Sequence, residues 1–552
     1  MELPDDWVAA LWEAFPAGLP GTSLPPEQLG AMADALTGSA SKEARVQAVE
    51  AVLEAGGPAW RDVIGGWVTH IVPVETLVPE AAARWRPLVR DAIQFLFSRL
   101  SGARLAAKLV EQLELPRETG PEARLLRLIA MMPGLQKIGQ VLARNRRLAP
   151  ALREALSELE NGMRDVTPGE IRGIIAQQLG PQLEHFGVDL EDAIFSEASV
   201  SAVMRFTWRK PGRERERGVF KVLKPHVPGC FAEDMALLEQ LGEFLASEDR
   251  GYGFAIRDVK EVLTEVRLLL EHELDFAREQ HTLLEARRTY RSSFGIRVPR
   301  LIRPLCTARI TAMSEESGVK VTEAFRRSPI RRRRIAEQLV EALLSVPLLS
   351  REEAAIFHAD PHAGNLLYDE PNRELVVLDW ALAEPISRES RRLLVLLALM
   401  MLLRNADGVC EAIQALGRQD SGRRKSREAL IRGAVKRYFE RLGGGRAGAL
   451  DAMMLLDEIA LEGVRFPAAL FLFRKMLFTL DGVLADVAGP AVRVDRIIAR
   501  DFLTRWVASL GLFHAPLAMK DLAAAPWSAL RDPVRAWIKS LLSQEKPAAP
   551  GA

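Results

Sequence analysis

Cysteine is scarce in this chain of 552 residues, and net charge is almost absent. Only Cys230, Cys306 and Cys410 occur, far apart and without a C-x-x-C pair. This argues against a disulfide framework and is typical of a cytosolic protein. The 74 Lys and Arg residues are balanced by 73 Asp and Glu residues, which leaves a formal net charge of +1. A general nucleic-acid binder would carry a strong basic excess, so we expect no nucleic-acid partner.

Long apolar segments are also lacking. The longest apolar run, from Leu393 to Leu403, is flanked by arginines and is too short to span a bilayer, so it predicts a buried helix. The chain begins with Met1 to Asp6, which is acidic where a signal peptide would be basic. We therefore expect no transmembrane segment and a cytoplasmic location.

One local basic patch stands out against this balanced charge. Arg326, Arg327 and Arg331 to Arg334 surround Ser328-Pro329. The pattern favours the solvated start of a helix over a contact with anionic lipid or nucleic acid.

Changes in periodicity and composition predict five segments. Apolar residues at helical spacing predict an N-terminal helical region of unknown role, with tryptophans packed between its helices, and a second helical segment after it. A strand-rich part then gives way to a helical part, and the Pro- and Ala-rich end of the chain is expected to be disordered. The predicted boundaries are 1–120, 121–190, 191–318, 319–500 and 501–552.

One helix of the second segment has clear start and end signals. Thr167 is suited to the N-cap, Pro168 to the first helical position and Glu170 to a capping box. An apolar stripe follows at Ile171 and beyond, and Gly180 is the predicted C-cap.

Strand patterns begin soon afterwards. Alternating apolar residues predict a hairpin around the turn Lys210 to Gly212, then a long helix, then two further strands. This order predicts an α+β fold with a small β-rich lobe followed by a helical lobe, as in protein kinases. The predicted strands are 201–208, 218–223, 296–299 and 308–313, and the helix spans 257–289.

The chemically most informative stretch runs from Phe357 to Asp379. It has a polar loop with Asp360 and, five residues later, Asn365, and then an apolar strand that ends at Asp379. In kinase-like sites the first Asp faces the acceptor oxygen, while the Asn and the second Asp hold the metal that bridges the nucleotide phosphates. Carboxylate and amide oxygens suit magnesium, so we predict Asn365 and Asp379 as its ligands.

Two other interpretations of this loop stay open. His358, Asp360 and His362 lie close enough in sequence to form a transition-metal cluster, although no Cys lies nearby and such sites usually recruit further His or Cys ligands. A plain structural loop is the second alternative.

A phosphotransfer site also needs a cation on the phosphates. Lys221 lies in the middle of an apolar strand, where a Lys is costly unless paired, whereas Lys224 is expected on an exposed strand face. Candidate acidic partners occur on the following helix, where Asp275 and Glu279 share one face. No G-x-G-x-x-G precedes Lys221, which is unusual for a protein kinase.

These features together resemble the UbiB/AarF family of atypical kinase-like proteins, which is associated with coenzyme Q biosynthesis. The resemblance covers roughly residues 121–500. Lys137, Gly139 and Gln140 match the K-x-G-Q motif of the family, and Glu273-Leu274-Asp275 matches its E-x-D motif. The loop from Phe357 to Asn365 resembles H-x-D-P-H-P-G-N, with Ala363 in place of the second Pro.

The resemblance implies a role for each matching residue. It implies ATP or ADP and Mg²⁺ as cofactors, an acceptor that is a small molecule or a lipid-pathway compound rather than a generic protein, and peripheral contact with a membrane at most. Glu279 would hold Lys221, and Lys137 with Gln140 would gate the site. The residues implied are Asp360, Lys221 and Glu279 for catalysis, Ala198, Ser199, Ser201, Lys137 and Gln140 at the nucleotide, and Asn365 and Asp379 at the metal.

The chain departs from the family pattern at three places. Val200, Met204 and Arg205 do not fit its Ala-rich loop, Trp380-Ala381 follows the metal Asp where the family has Phe-Gly, and Ser314 stands where a Glu is usual. A pseudokinase scaffold, which binds nucleotide without turnover, and a small-molecule kinase of the aminoglycoside-phosphotransferase type are therefore alternative functions.

Overall fold

The computed structural model describes most of the chain in two compact units. One unit comprises Met1–Phe276 with Ile302–Ala312, and the other Ala277–Leu301 with Met313–Ala552. Within them, the described residues are 26–37, 41–78, 80–116, 118–137, 165–209, 214–247, 267–291, 293–417, 424–443, 448–462, 464–489 and 497.

The first unit starts with helices around an apolar core. Trp60 and Trp67 are buried in this core and Trp85 packs against it, as predicted, whereas Trp7 and Trp12 lie outside the described residues. The helices are α1 (Pro26–Thr37), α2 (Lys42–Ile71), α3 (Val74–Leu77), α4 (Arg86–Arg99), α5 (Gly102–Leu113) and α6 (Pro121–Ile129), with a 3₁₀ turn at Glu80–Trp85.

Helix α7 (Pro168–His185) begins as its sequence predicts. Thr167 accepts from the backbone N–H of Glu170, and the Glu170 carboxylate accepts from the backbone N–H of Thr167 at 2.7 Å, which completes the capping box. The prediction that Gly180 ends the helix is wrong. The helix continues because Leu183 and the C-cap residue Phe186 then pack on the core, and this burial outweighs weak local propensities.

A four-stranded sheet follows, in the order β1-β2-β3-β5. Its strands confirm the predicted strand-rich part, although β1 was not predicted and the turn at 210–213 lies outside the described residues. The strands are β1 (Asp189–Glu197), β2 (Ser201–Trp208), β3 (Glu216–Leu223) and, after β4 (Ile296–Arg297), β5 (Ile310–Ser314).

Further helices follow β3 in the chain. Helix α8 (Val227–Ala246) contributes Leu237, Leu241 and Leu245 to the core of the N-terminal helices. Asp234 of α8 accepts from Arg104 and from the backbone N–H of Gly134, both at 2.8 Å. The prediction of one long helix over 257–289 is wrong in part, because residues 267–274 and α9 (Phe276–Thr289) are separate helices and Asp275 between them is not helical. Asp275 and Glu279 therefore do not share a face of one helix, and residues 257–266 lie outside the described part of the chain.

The second unit is largely helical and has two small sheets, ordered β4-β9-β8-β6 and β10-β7. Its strands are β6 (Val319–Lys320), β7 (Ala354–Phe357), β8 (Leu366–Asp369), β9 (Glu374–Val377) and β10 (Glu384–Ser387). Its helices are α10 (Pro329–Val340), a π-helical turn (Glu341–Ser345), α11 (Val346–Leu348), α12 (Arg388–Leu402), α13 (Ala406–Leu416), α14 (Arg424–Leu442), α15 (Ala449–Leu461) and α16 (Ala468–Ala488).

These elements confirm the predicted α+β class, and α12 confirms the buried helix predicted from the apolar run. Leu393, Leu394, Leu397 and Met401 of α12 are buried. Among the residues that the structure describes, no helix combines the length and the apolar character needed to cross a membrane. Residues 501–552, whose end was predicted to be disordered, lie outside this part of the chain.

Candidate functional site

The loop between β7 and β8 is closed by hydrogen bonds between its own residues. The carbonyl of Asp360 accepts from the backbone N–H of His362 at 2.9 Å and from the side-chain amide of Asn365 at 3.1 Å. The backbone N–H of Asn365 in turn donates to the carbonyl of His362 at 2.9 Å. Residues only a few positions apart therefore fix the backbone on either side of the Asp360 carboxylate.

Both ring nitrogens of His358 contact the backbone and help to hold this loop in place. Its Nε2 lies 2.8 Å from the carbonyl oxygen of Leu378, and its Nδ1 lies 3.3 Å from the backbone nitrogen of Asp360. A carbonyl can only accept and an N–H can only donate, so the ring is the neutral tautomer with the proton on Nε2. Burial lowers the pKa of His358 and keeps the ring neutral.

The transition-metal alternative does not fit this arrangement. Both ring nitrogens of His358 are engaged with the backbone, and Nδ1 of His362 accepts from the backbone N–H of Gly364 at 3.1 Å. Within the described parts of the chain, no group of three or more His, Cys, Asp or Glu side chains is arranged to hold a metal ion. His358 is therefore a positioning residue.

Asp379 lies two residues beyond the end of β9, and its neighbour Leu378 is hydrogen-bonded to Asn365. Leu366 and Val377 are paired in the β8–β9 ladder, and the backbone N–H of Leu378 donates to the carbonyl of Asn365 at 2.9 Å. Asp379 has a φ of +50°, a left-handed conformation that Asp tolerates better than most residues. The hairpin thus brings both predicted metal ligands to one edge.

The donor set at this edge fits magnesium. The Asn365 amide nitrogen faces the Asp360 carbonyl, so its amide oxygen is the atom left to bind a cation. Asp379 adds a carboxylate whose Oδ1 accepts from the backbone N–H of Ala381 at 3.2 Å, which orients the group. Mg²⁺ prefers such hard oxygen donors and retains several waters, so two protein ligands are enough.

The segment after Asp379 is fastened to helix α9. Thr282 Oγ1 donates to the carbonyl of Trp380 at 2.8 Å. Arg278 donates to the carbonyls of Ala381 at 2.6 Å and Ala383 at 2.8 Å. Trp380 is itself buried against the ring of His358, so the bulky residue that departs from the family pattern anchors the segment.

Glu279 is buried on the same helix, next to Arg278 in the chain. Sequence reasoning selected Glu279 and missed Arg278 and Thr282. Their signal is weak, because an Arg and a Thr on a charged helix are ordinary until their partners are known.

In the first unit, Lys221 occupies the predicted position in the middle of a strand. It is opposite Val203 in the β2–β3 ladder and is 8% exposed. Its Nζ lies 5.8 Å from the centre of the Phe276 ring, within range of a cation–π interaction. Lys221 belongs to the first unit and Glu279 to the second, and their pairing stays a prediction.

The predicted nucleotide loop is a tight turn between β1 and β2. The backbone N–H of Ala198 donates to the carbonyl of Ser201 at 2.8 Å, and the backbone N–H of Lys224 donates to the carbonyl of Val200 at 3.0 Å. Ser199 and Ser201 are both buried. The turn therefore closes without glycine.

Lys224 corrects the sequence prediction. It was expected on an exposed strand face, but it is fully buried. Its Nζ lies 2.5 Å from Oδ1 of Asp165 and 3.2 Å from Oε2 of Glu197. The prediction failed because the last four residues of β3 are all buried, so alternation no longer marks a solvent face there. Asp165 and Glu197 lie far from Lys224 in the sequence and gave no local signal.

Lys137 is also buried and forms an ion pair with Glu273. The structure thus joins the first residue of the K-x-G-Q motif to the first residue of the E-x-D motif. Gly139 and Gln140, the other predicted members, lie outside the described residues.

Comparison with known proteins finds sequence relatives of this chain. A sequence model of the ABC1 atypical kinase-like domain matches residues 158–413. An uncharacterised protein, sll1770, of Synechocystis is 25% identical over 366 residues, which cover 64% of this chain and 60% of that protein. A probable protein kinase UbiB of Aeromonas hydrophila is 25% identical over 331 residues, covering 58% of this chain and 56% of the relative.

The matched part of the chain thus spans less than two thirds of the length of these two curated relatives. Among solved structures, the complex of Rv3197 with erythromycin from Mycobacterium tuberculosis aligns with a TM-score of 0.40 and 18% identity, covering 64% of this chain and 87% of that one.

Proposed function

Because this chain belongs to the UbiB/AarF family of atypical kinase-like proteins, we propose that it is a magnesium- and ATP-dependent phosphotransferase or ATPase. Its acceptor would be water, a small molecule or a lipid-pathway compound, and the family association makes ubiquinone biosynthesis the pathway to test first. The proposal rests chiefly on one observation. Asp360, Asn365 and Asp379 are ordered by a continuous set of hydrogen bonds in a kinase-like hairpin.

Each residue has a distinct part in this reaction. Asp360 takes the proton from the acceptor oxygen while that oxygen forms its bond to phosphorus and the bond to the leaving nucleotide diphosphate breaks. Asn365 and Asp379 would hold Mg²⁺, which supplies positive charge to the phosphate oxygens. Lys221 would add a second cation, and the turn from Ala198 to Ser201 would cover the phosphates. Fixed charges of this kind account for most of phosphotransfer catalysis.

Magnesium-dependent nucleotide binding is the first test. ATP and Mg²⁺ together should raise the melting temperature, because a ligand that binds only the folded state stabilises it. Asp379→Asn should remove most of this shift. Asp407→Asn is the matched control, since Asp407 is an exposed carboxylate paired with Arg432. A wild-type shift that persists without magnesium would contradict the assignment of the metal ligands.

Turnover separates the enzyme from a pseudokinase. Asp360→Asn should keep the nucleotide-induced shift and lower ATP hydrolysis by about 10²–10⁴-fold, the usual contribution of a general base. Wild-type protein that binds nucleotide but does not hydrolyse or transfer phosphate at all would favour the scaffold alternative.

The gating role that the family resemblance implies for Lys137 is the basis of the proposed preference for small acceptors. Lys137 is held by Glu273 in the first unit. Lys137→Ala should change nucleotide affinity or turnover at least threefold, and the wild type should not phosphorylate generic proteins. Unaltered binding, hydrolysis and autophosphorylation in the variant would rule out this gating role.

We further propose a peripheral lipid contact at the start of α10. The arginines of the basic patch are solvent-exposed there, as the sequence predicted, except Arg332, which is half-buried, and Ile330 among them is 74% exposed. Basic residues next to an exposed apolar side chain suit an anionic lipid surface. Ile330→Ser should weaken co-sedimentation with phosphatidylglycerol vesicles. Equal co-sedimentation of wild type and variant would argue against this surface. Wild-type binding to phosphatidylcholine vesicles that equals its binding to phosphatidylglycerol vesicles would do the same.

A further inference from the structure

A lysine from the C-terminal helix α16 reaches the predicted catalytic carboxylate. Nζ of Lys475 lies 3.4 Å from Oδ1 of Asp360. The two side chains are 13% and 12% exposed, so bulk water screens their interaction only in part. The two residues are far apart in the sequence and no local motif links them.

Packing on both sides fixes where α16 presents this lysine. Phe473 of α16 makes an edge-to-face contact with Phe357, the last residue of β7, at a ring distance of 5.5 Å. At the other end of α16, Arg332 donates to the carbonyl of Asp486 at 2.6 Å and to the carbonyl of Val487. The helix is therefore held against the elements that carry the loop, and Lys475 does not depend on a flexible segment.

The loop itself offers no permanent cation. Between Asp360 and Asn365 the chain has only Pro361, His362, Ala363 and Gly364. Lys475, which lies outside the loop, brings a positive charge to one oxygen of Asp360, and this contact favours one orientation of that carboxylate.

We propose that Lys475 is the positioning residue of Asp360, which it holds as an oriented carboxylate ready to accept the proton of the acceptor. This inference rests on the proposed function, since it assigns Asp360 the role of proton acceptor. Arg474, the next residue on the helix, instead forms an ion pair with Asp457 of α15.

The neighbouring arginine provides a matched control. Lys475→Met removes the charge and keeps the length, Lys475→Arg keeps the charge, and Arg474→Gln removes one positive charge from the same turn of helix. A positioning residue acts on the chemical step, so Lys475→Met should lower kcat for ATP hydrolysis by about tenfold or more and leave KM for ATP within about twofold. Lys475→Arg should restore most of kcat, and Arg474→Gln should leave kcat and KM unchanged. An unchanged kcat in a folded Lys475→Met would overturn the inference.

A second measurement does not depend on turnover. A double-mutant cycle on the free energy of unfolding shows whether Lys475 and Asp360 interact. Lys475→Met and Asp360→Asn should be non-additive, whereas Arg474→Gln and Asp360→Asn should be additive. Additive losses for Lys475→Met and Asp360→Asn would overturn the inference. Non-additive losses in a protein without any turnover would instead overturn the proposed function and keep the Lys475–Asp360 pairing.

Discussion

The two units secure their predicted site residues by different means. In the second unit, Asp360, Asn365 and Asp379 are close in sequence and are ordered largely by backbone hydrogen bonds within one hairpin. In the first unit, the turn at Ala198 and Lys137 are held by ion pairs between residues that are distant in sequence, Lys224 with Asp165 and Glu197, and Lys137 with Glu273. Backbone hydrogen bonds tolerate most side-chain changes, whereas a buried ion pair depends on every partner.

Changes at Lys221 and Glu279 should have the largest effect on turnover and test both units at once, because one residue belongs to each unit. If they act as one ion pair, each single change to Ala should lower turnover by about 10²–10³-fold, as for a lost transition-state contact. The double change should then cost little more than either single change. Additive losses in ATP hydrolysis would show that Glu279 is not the partner, and Asp275 should be tested next.

Lys224→Met should selectively destabilise the first unit. It leaves Asp165 and Glu197 as buried carboxylates without their cation, and removal of one partner from a buried ion pair costs about 3–5 kcal/mol. The free energy of unfolding from denaturant titration measures this loss. Lys436→Met is the control, since Lys436 is 77% exposed and its pairing with Glu440 contributes little. Equal stability of the two variants would mean that the buried cluster does not stabilise the unit.

Two glycines allow a smaller test of how the first unit is built. Gly180 is inside α7 and a Cβ there would meet no atom within 4 Å, whereas Gly187 has a φ of +52°. Gly180→Ala should raise the free energy of unfolding by about 0.5–1 kcal/mol, and Gly187→Ala should lower it. A loss of stability in Gly180→Ala would restore Gly180 as a residue needed to end the helix.

The same contrast explains what could be predicted from the sequence. Strands β2 to β5, the capped start of α7, the apolar helix α12 and the hairpin with Asp360, Asn365 and Asp379 follow from short-range patterns, and the structure contains each of them. Lys224, Arg278 and Lys475 could not be assigned, because a Lys or Arg has no distinctive neighbours in sequence when its partners are remote. The end of α7 was missed for a related reason, since Leu183 and Phe186 pack on residues that sequence patterns do not identify.

The three contacts of Arg278 have a mechanical consequence. Its guanidinium donates to the carbonyls of Ala381 and Ala383 and to the carboxylate of Glu384, so it fastens the chain beyond Asp379 to α9. A displacement of α9 would have to move the chain next to Asp379 with it or break these hydrogen bonds. Glu279 and Asp379 should therefore change position together rather than independently.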